Sequence, residues 1–166
     1  MAYGTDEGFN EWLAAQGLSL PAGSPAPAVL RSIGSAYVDT AYGWRLSCSQ
    51  RTGGWAQELE WPRIGQARNG QAIPPDLIPT GWIHASYRAA YLTAVTPGWT
   101  TSGGDPRRMT QRERVDVIER TFFSPSEAAG SGDIAPGSPF DATINALVTP
   151  WLCSNTRSIN TLFRVI

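Results

Sequence analysis

The sequence predicts a mainly α fold, a small helical domain of about four helices with a short β element and an extended C-terminal strand. Three observations carry that prediction. Apolar residues recur at helical spacing in four separate segments, and the chain ends on an alternating apolar stretch. Seventeen glycines and thirteen prolines in 166 residues exceed the usual share of about 12%, so short elements joined by long connections are expected. With 42% hydrophobic and 16% charged residues, the chain has the apolar content for one domain with a real core.

Thr5 followed by Asp6 and Glu7 is an N-cap with an acidic first turn, and Phe9, Trp12 and Leu13 then mark a short first helix ending at Gly17. A second helix starts near Ser24-Pro25, with Leu30, Ile33, Tyr37, Ala41 and Trp44 on one face and Gly43 as its stop. Arg45 to Gly54 is expected to be a surface loop, and Asn69-Gly70 a tight turn. A third helix follows Ile73 to Pro79, with Ile83, Tyr87, Ala90, Tyr91 and Ala94 on one face and Pro97-Gly98 beyond its end. Arg112 to Phe123 alternates as a strand, with helix the competing assignment. Ser124 to Pro139 reads as a flexible or extended connection. Ile144, Leu147, Val148, Trp151 and Leu152 return to helical spacing, kinked or ended by Pro150, before the alternating stretch from Ile159. The expected organisation is a helical core over 1–123, the connection 124–139, and a C-terminal helix and strand over 140–166.

Thirteen basic residues oppose fourteen acidic ones for a net charge of −1, which argues against affinity built on neutralising phosphates. Every basic residue is arginine, so Schiff-base and phosphate-loop lysine chemistry is excluded. Cys48 and Cys153 have no CxxC spacing and are expected to be reduced and incidental. The start of the chain lacks the pattern of a secretory signal and no long apolar run is present, so a soluble protein made in a cytoplasm is expected, with no membrane partner.

The candidate chemistry is thin. His84 is the single histidine; it can act as a general base, but no nucleophile motif accompanies it, and a structural histidine is the expectation. One histidine and two distant cysteines do not make a zinc site, and no calcium loop is present. Glu58 and Glu60 flank Leu59, so in an extended segment their carboxylates share one face about 7 Å apart, the range of an inverting glycosidase. Seven tryptophans make sugar stacking conceivable, against which stands the plainer reading of core or subunit contacts. Arg107, Arg108, Arg112, Arg114 and Arg120 gather in one region, but Asp105, Glu113, Asp116 and Glu119 lie among them. That is a mixed-charge surface of the kind found in salt-bridged interfaces.

Taken together, the opening Tyr3-Gly4-Thr5-Asp6 with Gly8-Phe9, the helix end Ala41-Tyr42-Gly43, the run from Gln57 to Arg63 (QELEWPR) and the Ile-Pro signal leading into the third helix resemble the head-tail connector (adaptor or head-completion) proteins of tailed bacteriophages. A branch of that family is labelled DnaT-like single-stranded DNA-binding protein. The resemblance spans roughly residues 3 to 95 by motif.

It implies a structural virion protein without enzymatic activity, cofactor, metal or small-molecule substrate. Such a protein is made in the host bacterial cytoplasm and resides at the neck of the virion. Its expected partners are further copies of itself in a homo-oligomeric ring, a dodecamer by the resemblance, then the portal protein, a stopper or tail-terminator protein, and double-stranded phage DNA passing through the centre. The expected interface residues are Trp61, anchored in the domain, and Arg63, free to pair across a subunit contact. Arg107, Arg108, Arg112, Arg114, Arg120 and Arg157 join them, with a portal-docking strand of Ile159, Thr161, Phe163, Val165 and Ile166. The alternative is a single-stranded DNA-binding replication (DnaT-like) protein; a carbohydrate-active or lectin-like module using tryptophan with Glu58 and Glu60 ranks behind both.

Overall fold

A computed structural model describes residues 1–101, 110–114, 119–122 and 138–153. Over these residues the fold is mainly helical: α1 (Asp6–Ala15), α2 (Pro27–Tyr42), α3 (Thr80–Val95) and α4 (Ala142–Val148), with short two-stranded ladders between α2 and α3 and between α3 and α4. Thr5 caps α1 as expected, its Oγ1 accepting the Gly8 N–H at 3.0 Å. Pro27 opens α2 at the first helical position, where its missing N–H costs nothing. Asp141 caps α4 through the Ile144 N–H at 2.9 Å and pairs with Arg88 of α3 at 3.3 Å. A 3-10 turn containing Pro150 follows directly, so α4 ends at Val148.

α3 packs against both α2 and α4. Small residues let the backbones approach: a Cβ on Gly34 of α2 would lie 2.2 Å from the Ser86 carbonyl oxygen of α3, and one on Gly81 would lie 2.6 Å from the Leu147 carbonyl oxygen of α4. Because α3 has two neighbours, its buried set is broader than one stripe. Tyr87 and Ala90 are buried as the periodicity predicts, and so are Trp82, Ala85 and Ala89 on the side the periodicity leaves out. One apolar cluster joins Tyr3, Tyr42, Leu46, Trp61, Trp82, Ile144 and Val148; a second gathers Phe9, Leu13, Leu30 and Tyr87.

The ladders are β1 (Gln50–Arg51) with β2 (Arg63–Ile64), β3 (Ala67–Arg68) with β4 (Gln71–Ala72), and β5 (Thr110–Arg114) with β6 (Glu119–Phe122), all antiparallel. Asn69 and Gly70 form the two-residue turn of the β3–β4 hairpin, both at positive φ, 52° and 79°, the geometry such a turn demands.

Several expectations are corrected. The second helix ends with Gly43 as its C-cap, as expected, but Trp44, assigned to its apolar face, lies beyond that end and is 52% exposed. The Arg45–Gly54 loop is not wholly superficial: a 3-10 turn buries Leu46, and Gln50–Arg51 pairs as a strand. The segment from Arg112 contributes to two antiparallel strands rather than one continuous strand, because alternation alone does not locate a reversal. Glu58 and Glu60 lie outside any strand and are not a facing pair: Glu58 meets the N-terminal ammonium at 3.2 Å, while Glu60 pairs with Arg51 and Arg63. Cys48 and Cys153 are joined in a disulfide. The connection expected over 124–139 lies outside the described residues up to 137, and the terminal strand expected from Ile159 lies wholly outside them.

Candidate nucleic-acid interface

The residues that carry the sequence resemblance converge on one buried knot. The Tyr3 hydroxyl donates to the Asp39 carboxylate of α2 at 2.7 Å and accepts the Trp61 N–H at 3.2 Å. Asp39 also receives the Trp82 indole N–H of α3 at 3.1 Å and the Glu60 N–H at 3.0 Å. Burial dominates over these donors and pushes the Asp39 carboxyl up to about 6, with the neighbouring Glu60 charge acting in the same direction. Gly4 sits at φ 67° under Tyr87, where a Cβ would fall 1.9 Å from the phenol oxygen. The Tyr87 hydroxyl accepts the Thr5 N–H at 3.1 Å. Arg31 closes the strap, donating to Asp6 at 2.7 Å and to the Gly4 carbonyl at 2.8 Å.

Arg63 is not free. It is 5% exposed, and its guanidinium donates to the Ser49 hydroxyl, the Glu60 carbonyl and carboxylate, and the Leu46 and Ser49 carbonyls at 2.6 to 3.1 Å. These five bonds use all the donors a guanidinium has, and a lysine would satisfy at most three. Trp61 is 1% exposed, tilted against Trp82 with ring centroids 6.1 Å apart.

Above Arg63 opens a surface cleft of about 540 Å³, lined by Gly43, Trp44, Leu46, Ser47, Gln50, Arg51, Gly54, Trp55, Glu60 and Arg63. Two short 3-10 turns, Gly43–Leu46 and Gly54–Ala56, carry its tryptophans. Trp44 is held by its own indole N–H donating to the Ala41 carbonyl at 3.0 Å, leaving its ring half in solvent. Trp55 is fully exposed. Between them Glu60 holds Arg51 at 3.2 Å and Arg63 at 2.6 Å, so the floor carries two guanidiniums against one carboxylate. Flat π faces beside a weakly positive floor suit stacking of planar rings. Sequence reasoning missed this cleft; its signal was Trp55, placed directly after Gly53-Gly54 in a polar stretch with no apolar neighbour in sequence but Ala56.

Among the other expected interface residues, Arg112, Arg114 and Arg120 fall in the β5–β6 hairpin, where the register sets Arg112 opposite Thr121, Glu113 opposite Arg120 and Arg114 opposite Glu119. Arg107, Arg108, Arg157, Ile159, Thr161, Phe163, Val165 and Ile166 lie outside the described residues. His84 is half-buried near Trp12 and Tyr87, with ring centroids at 6.4 and 6.2 Å, and burial lowers its pKa.

Fold and cleft define a small helical protein that presents tryptophans at its surface while Arg31, Arg51, Arg63, Arg68 and Arg88 make contacts within the fold. The chain belongs to the family described as "Putative DnaT-like ssDNA binding protein", whose model matches residues 2–165. No curated protein and no solved structure matches it.

Proposed function

We propose that the chain binds single-stranded DNA by stacking bases on Trp44 and Trp55 across the cleft. The observation that carries this reading is the exposure of both rings, 52% and 100%, on one cleft; the description of the family supports it. Base-aromatic stacking is worth about 1–3 kcal/mol per base. The phosphate contribution is small because Arg51 and Arg63 are already paired with Glu60, so binding falls only gently with salt.

A second reading keeps the connector role: a ring subunit at the neck of a phage virion, bound to the portal, with DNA passing through. The motif resemblance supports it, and so does Trp55, whose wholly exposed ring is an apolar anchor that a neighbouring copy would cover.

One experiment separates the two. Fluorescence anisotropy of a labelled oligothymidylate is measured at low and moderate salt, beside mass photometry of the protein alone and with its portal. Strand binding that weakens about 5- to 150-fold in Trp44→Ala or Trp55→Ala supports the stacking site; unchanged affinity in both variants overturns it. Ring formation or portal capture without strand binding establishes the connector in its place.

A further inference from the structure

Cys48 lies on the cleft's rim between the lining residues Ser47 and Gln50, and its disulfide partner Cys153 lies two residues beyond the 3-10 turn after α4. The bond therefore ties one wall of the cleft to a segment 105 residues away in sequence. Cys48 is exposed and Cys153 half-buried, so a small thiol reaches the pair without unfolding the protein. The segment is also held without the covalent bond. The Gln66 side-chain amide donates to the Trp151 carbonyl at 2.7 Å, the Arg68 guanidinium lies 4.3 Å from the Trp151 ring centre, and the Cys153 N–H donates to the Arg45 carbonyl at 3.1 Å. The Cys48 N–H lies 3.0 Å from the Cys153 sulfur, placed to stabilise negative charge there.

We propose that the Cys48–Cys153 disulfide is a reversible redox clasp that fixes the rim of the Trp44/Trp55 cleft to the C-terminal segment and is opened by a dithiol in the folded protein. As regulation of that cleft, the proposal rests on the strand-binding reading. A dithiol thiolate attacks the sulfur of Cys48, the more exposed of the two cysteines; the S–S bond breaks and Cys153 leaves as a thiolate, accepting the Cys48 N–H. The second thiol of the reductant then attacks the mixed disulfide and releases Cys48. The dithiol is oxidised to a cyclic disulfide by two electrons, and its two protons end on the two cysteines. The reduced protein keeps the Gln66 and Arg68 contacts, so the segment stays near its place while the rim gains freedom, and a looser rim binds less well because it is less preorganised.

The test uses the full chain purified without reductant. Thiols are titrated with a chromogenic disulfide before and after dithiothreitol, far-ultraviolet circular dichroism monitors the fold, hydrogen exchange is followed over 43–51 and 149–153, and oligothymidylate binding is measured in both states. The expected result is no free thiol before and two after native reduction, with the helical signal retained. Exchange quickens in both segments, and strand affinity drops about tenfold, recovering on reoxidation; Cys48→Ser behaves as the reduced form. Two free thiols in the air-purified protein, reduction only in denaturant, or exchange rates unchanged by reduction each overturn the clasp. Strand binding in neither state overturns the strand reading alone, and the exchange rates still decide whether the rim is clasped.

Discussion

Replacing Tyr3 by Phe removes one oxygen from the buried knot and leaves the ring in place. Two interactions are lost: the donation to Asp39 at 2.7 Å and the acceptance of the Trp61 N–H at 3.2 Å. A hydrogen bond to a charged group contributes about 1.5–3 kcal/mol, and a buried N–H left without a partner costs about 1–3 kcal/mol. Asp39 keeps the Trp82 and Glu60 donors, so a loss of about 3 kcal/mol is expected at pH 8. The loss depends on pH, with a sign fixed by Asp39. Its folded value of about 6 lies above the ordinary 3.8. Between these values the folded state holds more protons, so stability declines as pH rises through that window, by roughly 3 kcal/mol in all. Tyr3→Phe takes a donor from the ionised carboxylate, raising its pKa further, so the variant is hurt more at pH 8 than at pH 4.5, where the carboxyl is protonated. Urea unfolding under oxidising conditions, followed by tryptophan fluorescence at both pH values, measures this. A loss equal at the two pH values, or below about 0.5 kcal/mol at pH 8, a size typical of surface changes, refutes the reasoning.

Gly34→Ala places a Cβ 2.2 Å from the Ser86 oxygen and 2.7 Å from the Ala90 nitrogen, backbone atoms that yield only if α2 and α3 separate. A net loss of about 2–3 kcal/mol is expected in urea unfolding despite the better helix propensity of alanine. Trp61→Ala empties a fully buried site against Trp82 and lowers stability by about 3–5 kcal/mol; a variant that keeps its stability but loses only assembly would make Trp61 an interface anchor instead. Reducing the disulfide frees a loop of 105 residues and lowers stability by up to about 4–5 kcal/mol in the chain-entropy account, read as a shift in urea midpoint with and without dithiothreitol.

Local chemistry was legible and distant pairing was not. The Thr5 cap, the Asn69-Gly70 turn and the stop at Pro150 each depend on residues within a few positions of one another, and all stand where the sequence puts them. The run from Gln57 to Arg63 was recognisable as a motif, with Trp61 anchored as predicted, but the direction of Arg63 was misread. An arginine beside a proline in a polar stretch looks solvent-facing until the fold brings the Leu46 and Ser49 carbonyls around it. The disulfide has no local signature, since nothing near Cys48 specifies a partner 105 residues away. Trp44 continued the helical spacing of α2 on paper, yet the helix ends two residues earlier and turns its ring outward.

The use of arginine decides how strand binding must depend on salt. Arg31 binds Asp6 and two backbone carbonyls, Arg63 spends all its donors, Arg51 shares Glu60, Arg88 pairs with Asp141, and Arg68 lies over Trp151. A guanidinium that tethers loops and helix ends in this way meets a phosphate only by breaking fold contacts, whereas the tryptophan faces of the cleft are open at no such cost. Each neutralised phosphate of a single strand adds about 0.7 to the slope of log affinity against log salt, so a stacking site with one or two such contacts has a slope near one. A slope of several would move the binding surface away from the cleft, to the arginines from Arg107 to Arg120, and leave Trp44 and Trp55 as contacts between protein surfaces.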